Sequence, residues 1–213
     1  MLARFVVGML VAGTGYLISG RHRRYGATAA EAASPLPGDD QVPPPAMVST
    51  RAIGIDAPPD RIWPWLVQIG QGRAGFYTYT WLENLVGCDM TNAEAVNPAW
   101  QDLRVGDEVG LHPNLSLRVT LLEPGRALVI APASGPAPSP AMDFDFSWAF
   151  VLLPEPGGRT TRLVIRERYR PYGGVARLSV EAGQVASAVM TYGMLRGLRA
   201  RSRRTPEQAV AEG

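Results

Sequence analysis

Three side chains able to form an ion pair or move a proton fall in phase with apolar strand residues. In Arg51-Ala52-Ile53-Gly54-Ile55 the period-two rule puts Arg51 on the face of Ile53 and Ile55. In Leu163-Val164-Ile165-Arg166-Glu167-Arg168-Tyr169 the same rule groups Glu167 and Tyr169 with Leu163 and Ile165. A carboxyl and a phenol in apolar surroundings are residue types used in acid–base chemistry, so Glu167 and Tyr169 are the candidate catalytic residues. Arg51 reads first as a structural ion-pair partner, with a polar anchor for a ligand head group as the alternative.

The remaining polar candidates are Glu83, Asn84, Asp89 and His112. Glu83 stands three residues after Thr80, the spacing of a helix capping box. His112 precedes Pro113 and reads as a turn residue. The two histidines, His22 and His112, and the single Cys88 do not cluster with acidic residues, which argues against zinc. One cysteine excludes an intrachain disulfide. No metal cluster or phosphate loop accompanies these residues, so neither a metal nor a cofactor is expected.

Aromatic residues form two further sets. Phe144, Phe146, Trp148, Phe150 and Leu152 alternate along one strand, as a core stripe or a pocket wall does. Trp63, Trp65, Phe76, Tyr77, Tyr79 and Trp81 cluster earlier in the chain. They would either pack short helices or rim a pocket mouth, where an apolar body with a polar tip is at home.

The elements that must position these residues follow from periodicity and turn signals. Thr50 to Asp56 alternates as a strand. Pro58-Pro59 opens a helix carrying Ile62, Trp65, Leu66 and Ile69 on one face. Thr80 to Val86 forms a second short helix. Strands are expected at Asp107 to Leu111, Leu115 to Leu122, Ala127 to Ala131, Phe144 to Leu153 and Thr161 to Tyr169. Val180 to Arg204 reads as one long helix, with Val185, Ala188, Val189, Tyr192, Leu195 and Leu198 among its apolar positions. An antiparallel meander must cover one face, and only this helix is large enough to do so. The fold class is therefore α+β: a helix-grip fold, with a curved antiparallel sheet wrapped around the long C-terminal helix and a cavity between them.

The N-terminal part divides into two segments. Residues 1–24 read as a hydrophobic anchor with a basic flank: Leu2 to Gly20 contains only Arg4 among charged residues. Nineteen helical residues rise about 28 Å, close to the thickness of a hydrocarbon core. Arg21-His22-Arg23-Arg24 stands where a signal peptide would show a small-residue cleavage site, which favours an uncleaved transmembrane-type helix. The positive-inside rule then puts the main domain on the cytoplasmic side of a bacterial cell membrane. Residues 25–47, with Pro35, Pro37 and Pro43-Pro44-Pro45, read as an extended tether. Residues 48–204 form the folded domain and residues 205–213 a disordered tail.

Hydrophobic residues make up 46% of the 213 positions, enough for a packed core. All 21 basic residues are arginine and the formal net charge is +2, too small for a nucleic-acid footprint over the domain. The basic helix end (Arg196, Arg199, Arg201, Arg203, Arg204) complements a helix macrodipole or faces an anionic membrane surface.

Several motifs together resemble the SRPBCC superfamily, which takes in START domains and the polyketide cyclase/dehydrase group. The chain looks most similar to a bacterial subgroup that is often membrane-anchored. The residues are Ala57-Pro58-Pro59, Trp63-Pro64-Trp65-Leu66-Val67-Gln68, Gly72-Arg73-Ala74-Gly75-Phe76-Tyr77, Trp81-Leu82-Glu83-Asn84, Val105-Gly106-Asp107, Ser147-Trp148 and Arg162 to Arg168. Thr80 departs from the pattern, where an acidic residue is expected. The resemblance implies the helix-grip fold and a hydrophobic pocket, and no particular catalytic residue. In such a fold the first and last strands pair, and pairing Ile53 with Ile165 sets Arg51 opposite Glu167.

The expected function is binding of a hydrophobic small molecule, lipid-like or polycyclic, by a membrane-tethered domain. Its ligand residues would be Arg51, Trp63, Phe76, Tyr77, Trp81, Phe146, Trp148, Phe150 and Glu167. The alternatives are a cyclase or dehydratase acting on a polyketide-like substrate, and a scaffold with a filled core.

Overall fold

The structure is a computed structural model that describes residues 20–42, 47–132 and 143–204. The apolar run read as an anchor, the Pro43-Pro44-Pro45 run and the tail 205–213 lie outside the described residues. Among the described residues no helix is long and apolar enough to cross a membrane.

Six antiparallel strands form one sheet: β1 Met47–Ile55, β2 Glu108–His112, β3 Leu115–Glu123, β4 Ala127–Ala131, β5 Phe144–Pro154 and β6 Thr161–Pro171. Their spatial order is β1-β6-β5-β4-β3-β2, so the first strand closes against the last. Among the described residues four α-helices accompany them: α1 Ala29–Ala33, α2 Pro59–Val67, α3 Thr80–Leu85 and α4 Gly174–Arg203. This is the helix-grip arrangement, with α2 and α3 between β1 and β2 and α4 packed on one face of the sheet.

The two faces of the sheet have different chemistry. Ile53, Ile55, Leu128, Ile130, Phe150, Leu152, Leu163 and Ile165 fill the helix-bearing side together with Met194, Leu195 and Leu198 of α4. Each such side chain contributes about 1.5–3 kcal/mol by leaving water. Helix α4 begins six residues earlier than its periodicity suggested, at Gly174 after Gly173 in a positive-φ conformation. Val185 and Val189, read as apolar face positions, are exposed there. The first half of α4 is held instead through Ala176, Val180 and Gln184.

The outer face carries Arg162, Arg166 and Arg168 at alternate positions of β6, and the segment read as a tether packs over them. Arg166 donates to the carbonyls of Glu31, Ala32 and Ser34 and to Asp39 Oδ2, at 2.7–3.0 Å. Arg162 pairs with Glu31 and Arg168 with Asp39. Leu36 packs on Val129, Ala149 and Val151. An extended Pro-rich segment leaves its carbonyls unpaired, and buried guanidinium groups need acceptors. Residues 25–42 are thus part of the folded body, strapped across the sheet, with α1 closed by a Thr28–Glu31 capping box.

Candidate functional site

Arg51 and Glu167 form a buried ion pair, with Arg51 Nη1 2.9 Å from Glu167 Oε2. The β1–β6 register differs from the expected one by two residues. Ile53 faces Leu163, Arg51 faces Ile165, and Ser49 stands opposite Glu167. A long side chain spans a diagonal of this kind in an antiparallel pair. Ser187 Oγ lies 2.6 and 2.7 Å from the two carboxylate oxygens, and Thr191 Oγ1 3.3 Å from Oε1. Tyr169 donates its hydroxyl to Oε2 at 3.1 Å. Behind the pair, Arg51 Nε donates to the His22 carbonyl and Nη2 to that of Gln184.

These bonds decide what the two candidate catalytic residues can do. The acceptor sites of Glu167 are taken by Arg51, Tyr169, Ser187 and Thr191, so it has no free lone pair with which to act as a base. Burial, and then the Glu167 charge, push the Tyr169 phenol well above its ordinary range. Tyr169 is therefore a neutral donor already committed to Glu167. Held in this way, Glu167 and Tyr169 form a rigid polar floor.

Above that floor lies a cavity of about 400 Å³ between sheet and helices. Phe146 and Trp148 of β5, Glu167 and Tyr169 of β6 and Leu111 of β2 make its sheet side. Leu82, Glu83 and Val86 close one flank, with Phe76, Thr78, Cys88 and Met90 from the adjoining loops. Ala186, Ser187, Met190, Thr191 and Met194 of α4 form the opposite wall. Four aromatic rings converge: Phe76 on Trp148 at 5.5 Å between centroids, and Phe146 on Tyr169 at 4.9 Å.

Of the expected ligand residues, Phe76, Phe146, Trp148 and Glu167 stand on this wall, as does Tyr169. Arg51, Trp63, Tyr77, Trp81 and Phe150 do not line it. Arg51 is buried behind Glu167. Phe150 is fully buried and backs Trp148. Tyr77 is a buried framework residue that donates its hydroxyl to the Trp65 carbonyl and accepts from Gln68 Nε2. Trp63 packs half-buried against the core from α2. Trp81 points outward from α3 and is 69% exposed.

The residue that sequence reasoning underrated is Glu83. Helix α3 begins at Thr80 itself, its N-cap is Tyr79, and no side chain caps it. The expected Thr80–Glu83 capping box therefore does not form. Glu83 turns inward beside Leu82, is 6% exposed, and its Oε2 has no hydrogen-bond partner. Burial pushes its carboxyl up from 4.5 to about 7. Burial and the nearby Glu83 raise the Cys88 thiol as well, which keeps it protonated and poorly nucleophilic. Trp148 Nε1 is likewise buried without a partner. The available signal was an acidic residue beside apolar Leu82, but its spacing from Thr80 gave it a capping role instead.

The basic helix end is mostly spoken for. Arg201 pairs with Glu94 and lies over the Tyr77 ring, Arg203 pairs with Asp56, and Arg204 pairs with Glu94. Arg196 donates to the Tyr192 hydroxyl. Among the described residues no group of three or more His, Cys, Asp or Glu side chains is placed to hold a metal ion.

No family model matches the chain, and no curated protein is similar to it. Solved structures are similar at low identity. Protein MLL2253 of Mesorhizobium loti is 21% identical, over 73% of this chain and 98% of that one, with a TM-score of 0.39. The Polyketide_cyc-like protein Cgl2372 of Corynebacterium glutamicum is 17% identical, over 73% and 89%, with a TM-score of 0.39. The hypothetical protein jhp0584 of Helicobacter pylori is 12% identical, over 83% and 100%, with a TM-score of 0.49. Likeness at this level carries nothing about ligand or reaction. The helix-grip fold is read from the chain's own strand order, register and helix placement.

Proposed function

We propose that this is a binding protein for a hydrophobic small molecule, held in the cavity between sheet and α4. The observation that carries the reading is the cavity itself. Its volume of about 400 Å³ lies within the ~300–1,000 Å³ range of ligand sites, and it is walled by aromatic and aliphatic side chains above a fixed polar floor. A scaffold domain would have filled this space. The test fills it: Ala186→Trp, on the α4 wall, should abolish uptake of a fluorescent apolar probe while leaving the melting temperature within a few degrees. Unchanged uptake would remove the cavity from the function.

We further propose that the domain works at a membrane surface, on the cytoplasmic side. The apolar run of residues 2–20 and its Arg flank support this. So do Trp81 and Leu85 of α3 and Val86 just after it, at 69, 76 and 68% exposure beside the cavity. Flotation of the full chain with lipid vesicles tests the tether; loss of flotation on replacing Trp81 and Leu85 by Ser would assign part of the attachment to α3.

The cyclase or dehydratase reading requires a proton-transfer group facing the ligand. Glu167 and Tyr169 are bonded to each other and to their neighbours. Glu83 has an uncommitted oxygen and titrates near neutrality, and it is the residue on which such chemistry would fall.

A further inference from the structure

We propose that the cavity selects uncharged apolar molecules carrying a hydroxyl or carbonyl oxygen, and rejects apolar carboxylates, through Glu83 on one flank and Trp148 on the sheet. The inference rests on the reading of the cavity as a ligand site.

The charges around the cavity are one-sided. Its wall includes two carboxyl groups, Glu83 and Glu167, and no Arg or His among the described residues. Arg51 is almost fully buried behind Glu167 and is spent on that carboxylate. An entering carboxylate would find no counter-charge and would meet Glu83. Desolvating an unpaired anion beside a like charge is strongly unfavourable, and such a ligand would have to take up a proton before it could bind.

The unmet hydrogen bonds specify what is accepted. Trp148 Nε1 is a donor only, so it calls for an oxygen acceptor. Glu83 can accept from a hydroxyl when ionised and donate to a carbonyl when protonated. Its carboxyl, pushed up to about 7 by burial alone, offers both forms near neutrality. A hydroxyl can donate to Glu83 or accept from Trp148. A carbonyl accepts from either. An aliphatic ammonium could satisfy Glu83 but has no lone pair for Trp148.

The test is calorimetric titration of the full chain at pH 8 with three probes of one chain length: 1-decanol, decanoate and decylamine. Decanol should bind at least about tenfold tighter than decanoate. Glu83→Gln should shrink that preference below about threefold by improving decanoate binding, and Trp148→Phe should weaken decanol. The unmodified protein alone decides the class, whether or not the variants fold. Decanoate binding as tightly as decanol overturns the exclusion of anions. Decylamine binding tightest overturns the choice of an uncharged ligand. If none of the three binds, the ligand-site reading falls and the selectivity falls with it.

Discussion

Arg51 reaches Glu167 along a diagonal of the β1–β6 pair, with Ser49 rather than Arg51 standing directly across from the carboxylate. The diagonal turns the guanidinium toward α4, where Nη1 also lies 3.1 Å from Ser187 Oγ and 3.2 Å from Thr191 Oγ1. One pair thereby ties the edge strand, its neighbour and the long helix together. Arg51→Ala leaves Glu167 buried without its cation and should cost about 3–5 kcal/mol in chemical denaturation. Arg51→Met with Glu167→Met removes both charges and should recover more than half of that loss. Additive losses would show that the pair is not coupled.

Glu83 should make stability depend on pH in the sense opposite to a salt-bridged acid. Its carboxyl is held near 7 in the fold against 4.5 when free, so between these values the native state retains a proton that the unfolded chain releases. Stability is then unaffected below pH 4.5, falls between 4.5 and 7, and levels off above. The penalty at pH 8 is about 3 kcal/mol. Glu83→Gln should remove it, stabilising the protein at pH 8 and changing little at pH 4. Denaturation series across this range check the sign; a variant equally destabilised at both ends would mean that the carboxyl is anchored by contacts rather than stranded.

The strap formed by residues 25–42 hangs on one arginine. Arg166 is buried and donates to three strap carbonyls, to Asp39 and to Thr50 Oγ1 at 3.0 Å. Arg166→Ala should cost about 3 kcal/mol, since it strands several buried acceptors at once. Backbone amides of residues 29–41 should lose hydrogen-exchange protection ahead of those in β5. Arg162→Ala, on a less deeply buried side chain, should do less. Equal protection across the strap in Arg166→Ala would show that Leu36 and Gly38 on Val129 suffice to hold it.

The parts of this architecture that are periodic could be read in advance. Alternation in β1, β5 and β6 assigned their faces, and those faces stand: Arg51, Phe146, Trp148, Glu167 and Tyr169 all point to the helix side. What alternation cannot supply is register, because a slip of two residues leaves every face unchanged. That is why Ile53 meets Leu163 and not Ile165. The strap was illegible for a different reason. Proline and alanine carry no period, and three of the bonds by which Arg166 holds residues 25–42 go to backbone carbonyls, which every sequence possesses. Glu83 was obscured because a six-residue helix with apolar residues on both sides has no unambiguous inner face.

Helix α4 approaches the loop after α2 so closely that no side chain fits between them. A Cβ on Gly197 would stand 2.1 Å from the Tyr77 carbonyl oxygen, and one on Gly193 2.6 Å from Thr78 Oγ1. Tyr77 sits at φ 58°, a left-handed conformation that costs a tyrosine about 1–3 kcal/mol. It is held there from several sides. Its amide donates to Asn92 Oδ1, Asn92 Nδ2 donates to the Thr78 carbonyl, and the Arg201 guanidinium lies 4.8 Å over its ring. The arrangement has a consequence for the cavity, since Phe76 and Thr78 on either side of Tyr77 both form its wall. Gly197→Ala should push the loop off α4, lowering stability by about 2–4 kcal/mol and displacing Phe76 from Trp148. The second effect would be read as a change in tryptophan emission and a weakened decanol site. Asn92→Ala should reproduce the loss of the decanol site with a smaller stability cost, because it releases the loop without forcing a clash. If Gly197→Ala destabilises the protein yet leaves decanol binding intact, the Phe76 wall is set by the sheet and not by the approach of the helix.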